Sequence, residues 1–310
     1  MRGESSVVSC QLSADDGQDK KMPNCQNDKK RSLLQLDIEG ILKKRIPKDK
    51  EKYIPNFLYK VLAGFIHQDE LNEMLRTGFP STGSEFAHKV LEYLDISVEV
   101  EGEENLPPLG ERTVFACNHP LGGLDGIALI DVLGSYYGDD NIRFMVNDLL
   151  MNIEPLSSVF IPINKYGGQA RASVDIINKE YASDREMVVF PAGLVSRLQD
   201  DGEVEDLTWQ KAFVVKAFEY NRDIVPVRFV ALNRKRFYRM ARWRKKLGIK
   251  VNLEQTTLPA ELCAARGKKF KVIIGTPVRI RELRASKMPH MRAAAYIRDL
   301  VYKLRKPEKI

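Results

Sequence analysis

A chain of 310 residues is long enough for one large domain or two small ones, with a core that needs no staples. Its four cysteines, Cys10, Cys25, Cys117 and Cys263, fit no C-x-x-C or Cys/His spacing. That argues against a disulfide framework or a structural zinc site and suits a reducing compartment. The net charge is +7, yet the stretch from Arg228 to Lys250 holds ten basic residues and no acidic one, so the remainder sums to −3. The basicity is therefore a local patch, suited to nucleic acid, an anionic lipid surface or an acidic carrier protein.

In chain order, residues 1–31 are polar and charged, a composition too poor in large apolar groups to offset its ordering entropy, and a disordered tail is expected. It lacks a signal-peptide apolar core, and no apolar run reaches the roughly 18 residues of a spanning helix, so a soluble or peripheral protein is expected. Residues 32–94 read as a helical N-terminal segment in three pieces, broken by Pro47, Pro55 and Gly78-Phe79-Pro80. The middle piece carries Phe57, Leu58, Val61, Leu62, Phe65 and Ile66 on one broad side, a pattern for core packing, with docking on a bilayer as the second reading.

The grammar then changes to short apolar runs alternating with helical stretches. The runs are ISVEVEG, RTVFACN, IRFMVN, SVFIPI, EMVVFPAG, DIVPVRFVAL and FKVIIGTPV, with helices expected in GIALIDVLGSYYG, GQARASVDIINKEYAS and LTWQKAFVVKAFEYN. This predicts an α/β domain over 95–280, a mixed sheet flanked by helices, closed by a C-terminal helix within 281–310.

The chemistry concentrates where the apolar run Val114-Phe115-Ala116-Cys117 meets the turn Asn118-His119-Pro120-Leu121-Gly122-Gly123-Leu124-Asp125-Gly126. Rigid strand ends that open into exposed loops are common places for catalytic groups. A histidine there can accept a proton near neutral pH, and a carboxylate such as Asp125 can fix its tautomer and support the imidazolium. Cys117 shares a strand face with His119 and has to be weighed as a nucleophile, although a small buried thiol is the commoner state at a strand end.

The run NHPLGGLDG resembles the Asn-His-x4-Asp block of the glycerolipid acyltransferase (lysophosphatidic-acid acyltransferase-like) superfamily. Three more stretches follow in that family's order: Ser158 to Lys165 resembles the second block, Phe190 to Arg197 the Phe-Pro-Glu-Gly-Thr-Arg-Ser block, and Ile224-Val225-Pro226-Val227 the Val-Pro-Val block. The resemblance covers roughly residues 95–280. It implies His119 as general base assisted by Asp125, with Asn118, Lys165, Gly193 and Arg197 binding substrate. It also implies no cofactor and no metal, an acyl carrier protein or coenzyme A thioester as co-substrate, and a lipid hydroxyl as acceptor.

Two departures stand out. Five residues separate His119 from Asp125 where the family usually has four, so their contact requires the Gly122-Gly123 turn to absorb one residue. In the third block Ala192, Leu194 and Val195 replace the family's polar and charged groups, which points away from simple lysophosphatidic acid. The pattern is similar to the hemolysin-like branch, which acylates amino-acid lipids such as ornithine lipid. The basic stretch 234–246, with Arg239, Arg242, Trp243, Arg244 and Lys245 and with Phe237 and Tyr238 at the interface, is expected to meet an anionic membrane surface or a carrier protein. That would place the enzyme in the cytoplasm, peripheral on the inner face of the membrane. Two rivals remain: an acyl-ester hydrolase using the same His and Asp, and a nucleic-acid-binding protein using the interleaved aromatics and cations, which no known nucleic-acid module frames.

Overall fold

The structure, a computed structural model, describes residues 35–45, 55, 64, 66–163, 170–249 and 252–304. The expected disordered tail, most of the middle apolar piece (Phe57, Leu58, Val61, Leu62 and Phe65) and Lys165 lie outside these residues.

Helices α1 (Ile38–Arg45), α2 (Gln68–Gly78) and α3 (Gly83–Tyr93) open the chain. In α3 the apolar residues Phe86, Ala87, Val90 and Leu91 recur at helical spacing and are buried with Met74 and Leu75 of α2. Pro80 lacks an amide proton and stands between the two helices, and the freed N–H of Ser84 at the start of α3 donates to Asp139 Oδ1 at 2.9 Å. Helices α2 and α3 pack into the same core as the sheet, with Leu36 ahead of α1 against it, so this part of the helical segment is one layer of the α/β body.

The seven expected strands all form: β1 (Ser97–Glu101), β2 (Val114–Cys117), β3 (Ile142–Asn147), β4 (Phe160–Ile163), β5 (Glu186–Val189), β8 (Ile224–Val230) and β9 (Lys269–Ile274). Their order is β1-β9-β8-β2-β5-β3-β4. Every neighbouring pair is parallel except β8 with β9, which makes the sheet mixed. Central β2 and β5 are buried at every position, as expected for parallel strands covered on both faces, which read as continuous apolar runs. A small antiparallel ribbon, β6 (Arg197–Leu198) with β7 (Val204–Glu205), stands apart from the sheet.

Because strand side chains alternate, Phe115 and Cys117 point into a core with α2, α3 and α4 (Leu124–Tyr137). Val114 and Ala116 point into a second core with α5 (Ala170–Ala182), α6 (Ala212–Glu219), α9 (Ile280–Ala285) and α10 (His290–Lys303). The C-terminal stretch expected as one helix is two, α9 and α10, because Pro289 removes an amide and disfavours helical backbone at Met288. The remaining helices are the basic α7 (Lys235–Lys246) and the short α8 (Leu258–Cys263). Among the described residues no helix is long and apolar enough to cross a membrane.

Candidate active site

His119 stands two residues beyond β2, at the carboxyl edge of the parallel strands. Its Nδ1 lies 3.0 Å from Asp125 Oδ2 at the start of α4. The extra residue between them is absorbed at Gly122, whose φ of +90° is open to glycine and strained for other residues. The turn folds back on Asp125, so the N–H groups of Leu121 and Gly122 also donate to Oδ2 at 3.0 and 3.2 Å, and that of Gly126 donates to Oδ1. Burial opposes charge on the fully buried Asp125. The His119 ring and these amides outweigh it and hold the carboxyl below its usual range. An ionised carboxylate only accepts, so His119 carries its proton on Nδ1, and the Nε2 lone pair is left to take another.

Burial also works to lower the histidine pKa, with the His119 side chain 17% exposed. Asp125 and the more distant carboxylate of Asp206 overcome that and a smaller opposing effect of Arg197, leaving the imidazole above its ordinary value. The Phe190 ring packs on the imidazole with centroids 4.3 Å apart.

The main chain of His119 is held on both sides by the third block and its hairpin. Its N–H donates to Asp206 Oδ1 at 3.1 Å, and its carbonyl accepts from Ser196 N–H at 2.9 Å. Asp206, Ser196 and Phe190 received no individual role from sequence reasoning. Asp206 lies 87 residues from His119 in an acidic stretch that reads as surface loop, and only the block containing Phe190 and Ser196 gave any signal.

Other expected site residues take less direct places. Asn118 is buried and bridges β2 to β8: its Oδ1 accepts from Phe229 N–H and its Nδ2 donates to Phe229 carbonyl at 3.0 Å. Both ends of its amide are thus bonded to the sheet. Gly193 forms the turn after β5, with φ +64° and its N–H bonded to Phe190 carbonyl. Arg197 is 11% exposed and pairs through Nη2 with Glu254 Oε1 at 2.7 Å, while Glu254 Oε2 lies 2.8 Å from Arg244 Nε. Cys117 is wholly buried among core residues and burial pushes its thiol well up, so it is not an activated nucleophile.

The basic stretch forms α7, and here the expectation needs correction. Phe237 and Tyr238 are buried against Val195 and Val204, and among the aromatics of this stretch only Trp243 is exposed. Arg239, Arg242 and Lys245 are exposed, whereas Arg244 is committed to Glu254 and to Ile249 carbonyl. A stacking platform for bases would need exposed rings, so the aromatics of α7 do not provide one.

Taken together, a carboxylate-oriented histidine rises from a strand end, with a thiol-free, proton-accepting edge suited to deprotonating a hydroxyl. A family model described as Acyltransferase matches residues 41–307, and the chain belongs to this acyltransferase family, within the glycerolipid acyltransferase superfamily. It is 44% identical over 273 residues to the lyso-glycine lipid O-acyltransferase of Phocaeicola vulgatus, covering 88% of this chain and 96% of that one. It is 43% identical over 273 residues to the lyso-glycine lipid O-acyltransferase of Bacteroides thetaiotaomicron, covering 88% and 98%. These relatives put it in the amino-acid-lipid branch, among O-acyltransferases of lipid synthesis. The 1-acyl-sn-glycerophosphate acyltransferase PlsC of Thermotoga maritima aligns with a TM-score of 0.41 at 14% identity, over 81% of this chain and 97% of that one.

Proposed function

We propose that this protein transfers a fatty acyl group from an acyl carrier protein or coenzyme A thioester to the free hydroxyl of a lyso-amino-acid lipid, a lyso-glycine lipid first among them. The observation that carries the reading is the 3.0 Å contact of His119 Nδ1 with buried Asp125, in a chain 44% identical to a lyso-glycine lipid O-acyltransferase.

His119 Nε2 removes the acceptor hydroxyl proton as that oxygen attacks the thioester carbonyl, and Asp125 supports the imidazolium. The tetrahedral adduct then collapses, the carbon–sulfur bond breaks, and the imidazolium returns its proton to the departing thiolate. No acyl-enzyme forms. The apolar Ala192, Leu194 and Val195 offer no side-chain partners to a phosphate, and unpaired buried phosphate oxygens are costly, which favours an acceptor without one. The enzyme works at the inner face of the cytoplasmic membrane, held there by the exposed cations and Trp243 of α7.

The test is a thioester-release assay with acyl carrier protein and coenzyme A donors, each with lyso-glycine lipid, lysophosphatidic acid or no acceptor. Release dependent on the lyso-glycine lipid, and about 10²–10⁴-fold lower in His119→Ala, is the expected result. Release without acceptor would make the protein a hydrolase, and equal kcat/KM with lysophosphatidic acid would overturn the acceptor assignment.

A further inference from the structure

His119 is fixed at two levels. Asp125 holds its ring; Asp206 and Ser196 hold its main chain. We infer that Asp206 is a positioning residue for the acyl transfer, clamping the backbone of His119 so that the imidazole stays in its reactive place. The inference rests on the general-base reading of His119.

The geometry is that of a built clamp. Asp206 follows β7 and is only 2% exposed. Its Oδ1 accepts from His119 N–H at 3.1 Å and from the Ser196 hydroxyl at 2.6 Å; its Oδ2 accepts from the Trp209 indole N–H at 2.8 Å. Burial pushes the Asp206 carboxyl above its ordinary range, opposed by the Ser196, Trp209 and His119 donors; once ionised it can only accept, and these three donors satisfy it without water. Its own main chain is pinned as well. The Asp206 N–H donates to the Tyr302 hydroxyl at 2.7 Å, and Arg298 donates to the Asp206 carbonyl at 2.9 Å.

The charged groups around the clamp are few. Arg228 and Arg298 flank the Tyr302 ring at 4.9 and 4.7 Å, Glu205 pairs with Arg298, and Asp125 and Arg197 also act electrostatically on His119. A structural acid alone would not need to be bonded to the catalytic residue's own amide. A buried carboxylate placed there acts on that residue twice, through geometry and through its charge, which favours the imidazolium that forms as the hydroxyl proton moves. Misplacement of a base by about 1 Å can cost on the order of 10²-fold in rate.

The test compares Asp206→Asn, Ser196→Ala, Trp209→Phe and His119→Ala, each checked for folding by circular dichroism and melting. Asp206→Asn keeps the volume, loses the charge, and turns an amide donor toward either Trp209 or His119. It should lower kcat about 10- to 100-fold with KM for the thioester unchanged, and should move the acid limb of the kcat profile to lower pH. Ser196→Ala keeps the carboxylate and should lower kcat less, leaving the limb in place. If Asp206→Asn does not fold, Trp209→Phe, which frees one carboxylate oxygen, should lower kcat with KM unchanged; wild-type kcat in it would overturn the inference. A folded Asp206→Asn with wild-type kcat and acid limb would overturn it too. Normal turnover in His119→Ala would instead dismiss the general-base reading, so the two failures are distinguishable.

Discussion

Replacing Gly122 with alanine tests whether the turn between His119 and Asp125 works as described. Two costs arise. The φ of +90° at Gly122 is one an L-residue holds only under strain, about 1–3 kcal/mol. A Cβ there would also lie 2.7 Å from Val195 Cγ2 and 2.8 and 3.0 Å from the two methyls of Leu258. Leu258, half-buried at the start of α8, can swing aside; Val195, 2% exposed and branched at Cβ, cannot. Overpacking of this kind costs about 1–3 kcal/mol, and the partial freedom of Leu258 sets it at the lower end. The sum, about 2–4 kcal/mol, should lower the melting temperature by roughly 3–6 °C in a chain of this size. It should also loosen the Leu121 and Gly122 amides on Asp125, and with them kcat. Gly123→Ala is the internal control: its φ is −136° and nothing lies within 4 Å of the added methyl. Differential scanning calorimetry of both variants, with turnover at a temperature where each is folded, decides the matter. Equal melting temperatures for the two would refute the reasoning.

Three further outcomes follow from the same geometry. Because His119 must be neutral to act and its pKa is raised, kcat/KM should fall as pH drops, with a midpoint above histidine's usual value of about 6.5; Asp125→Asn should move that midpoint down, and an unshifted profile would count against the pairing. Glu254→Gln leaves Arg197 and Arg244 facing a neutral amide and should cost roughly 3 kcal/mol, at the low end for a broken buried pair because both guanidinia touch water, read as a drop in urea midpoint. Arg239, Arg242 and Lys245 together changed to Gln, sparing Arg244, should abolish sedimentation with anionic vesicles but keep turnover on detergent-dispersed acceptor, and wild-type sedimentation should weaken with salt; unchanged sedimentation would make α7 a solvated face.

Much of this molecule was legible because its signals are local. The seven strands are dense apolar runs, and the His119–Asp125 pair lies within one nine-residue motif. Asp206 and Glu254 were not legible: each is an acid in a polar stretch, and its burial depends on where hairpin β6–β7 and the segment before α8 come to rest. The aromatics of α7 were misplaced for a different reason. Alternation of rings and cations reads in the sequence as one mixed surface, whereas helical spacing puts Phe237, Tyr238 and Ala241 on one side and Arg239, Arg242 and Trp243 on the other. The periodicity held that information; composition alone did not.

The two departures from the family blocks meet in space. The extra residue between His119 and Asp125 is housed by the bend at Gly122, and the side chain against that bend is Val195, an apolar residue where the third block is usually charged. Val195 in turn packs with Val204, Phe237 and Tyr238 in a small core of its own. A charged side chain at 195 would lie buried against an apolar bend, with a desolvation cost of several kcal/mol unless paired. The lengthened first block and the apolar third block are therefore one adjustment. The bend that brings Asp125 to His119 is thus packed by an apolar side chain, and a charge at 195 has no place against it.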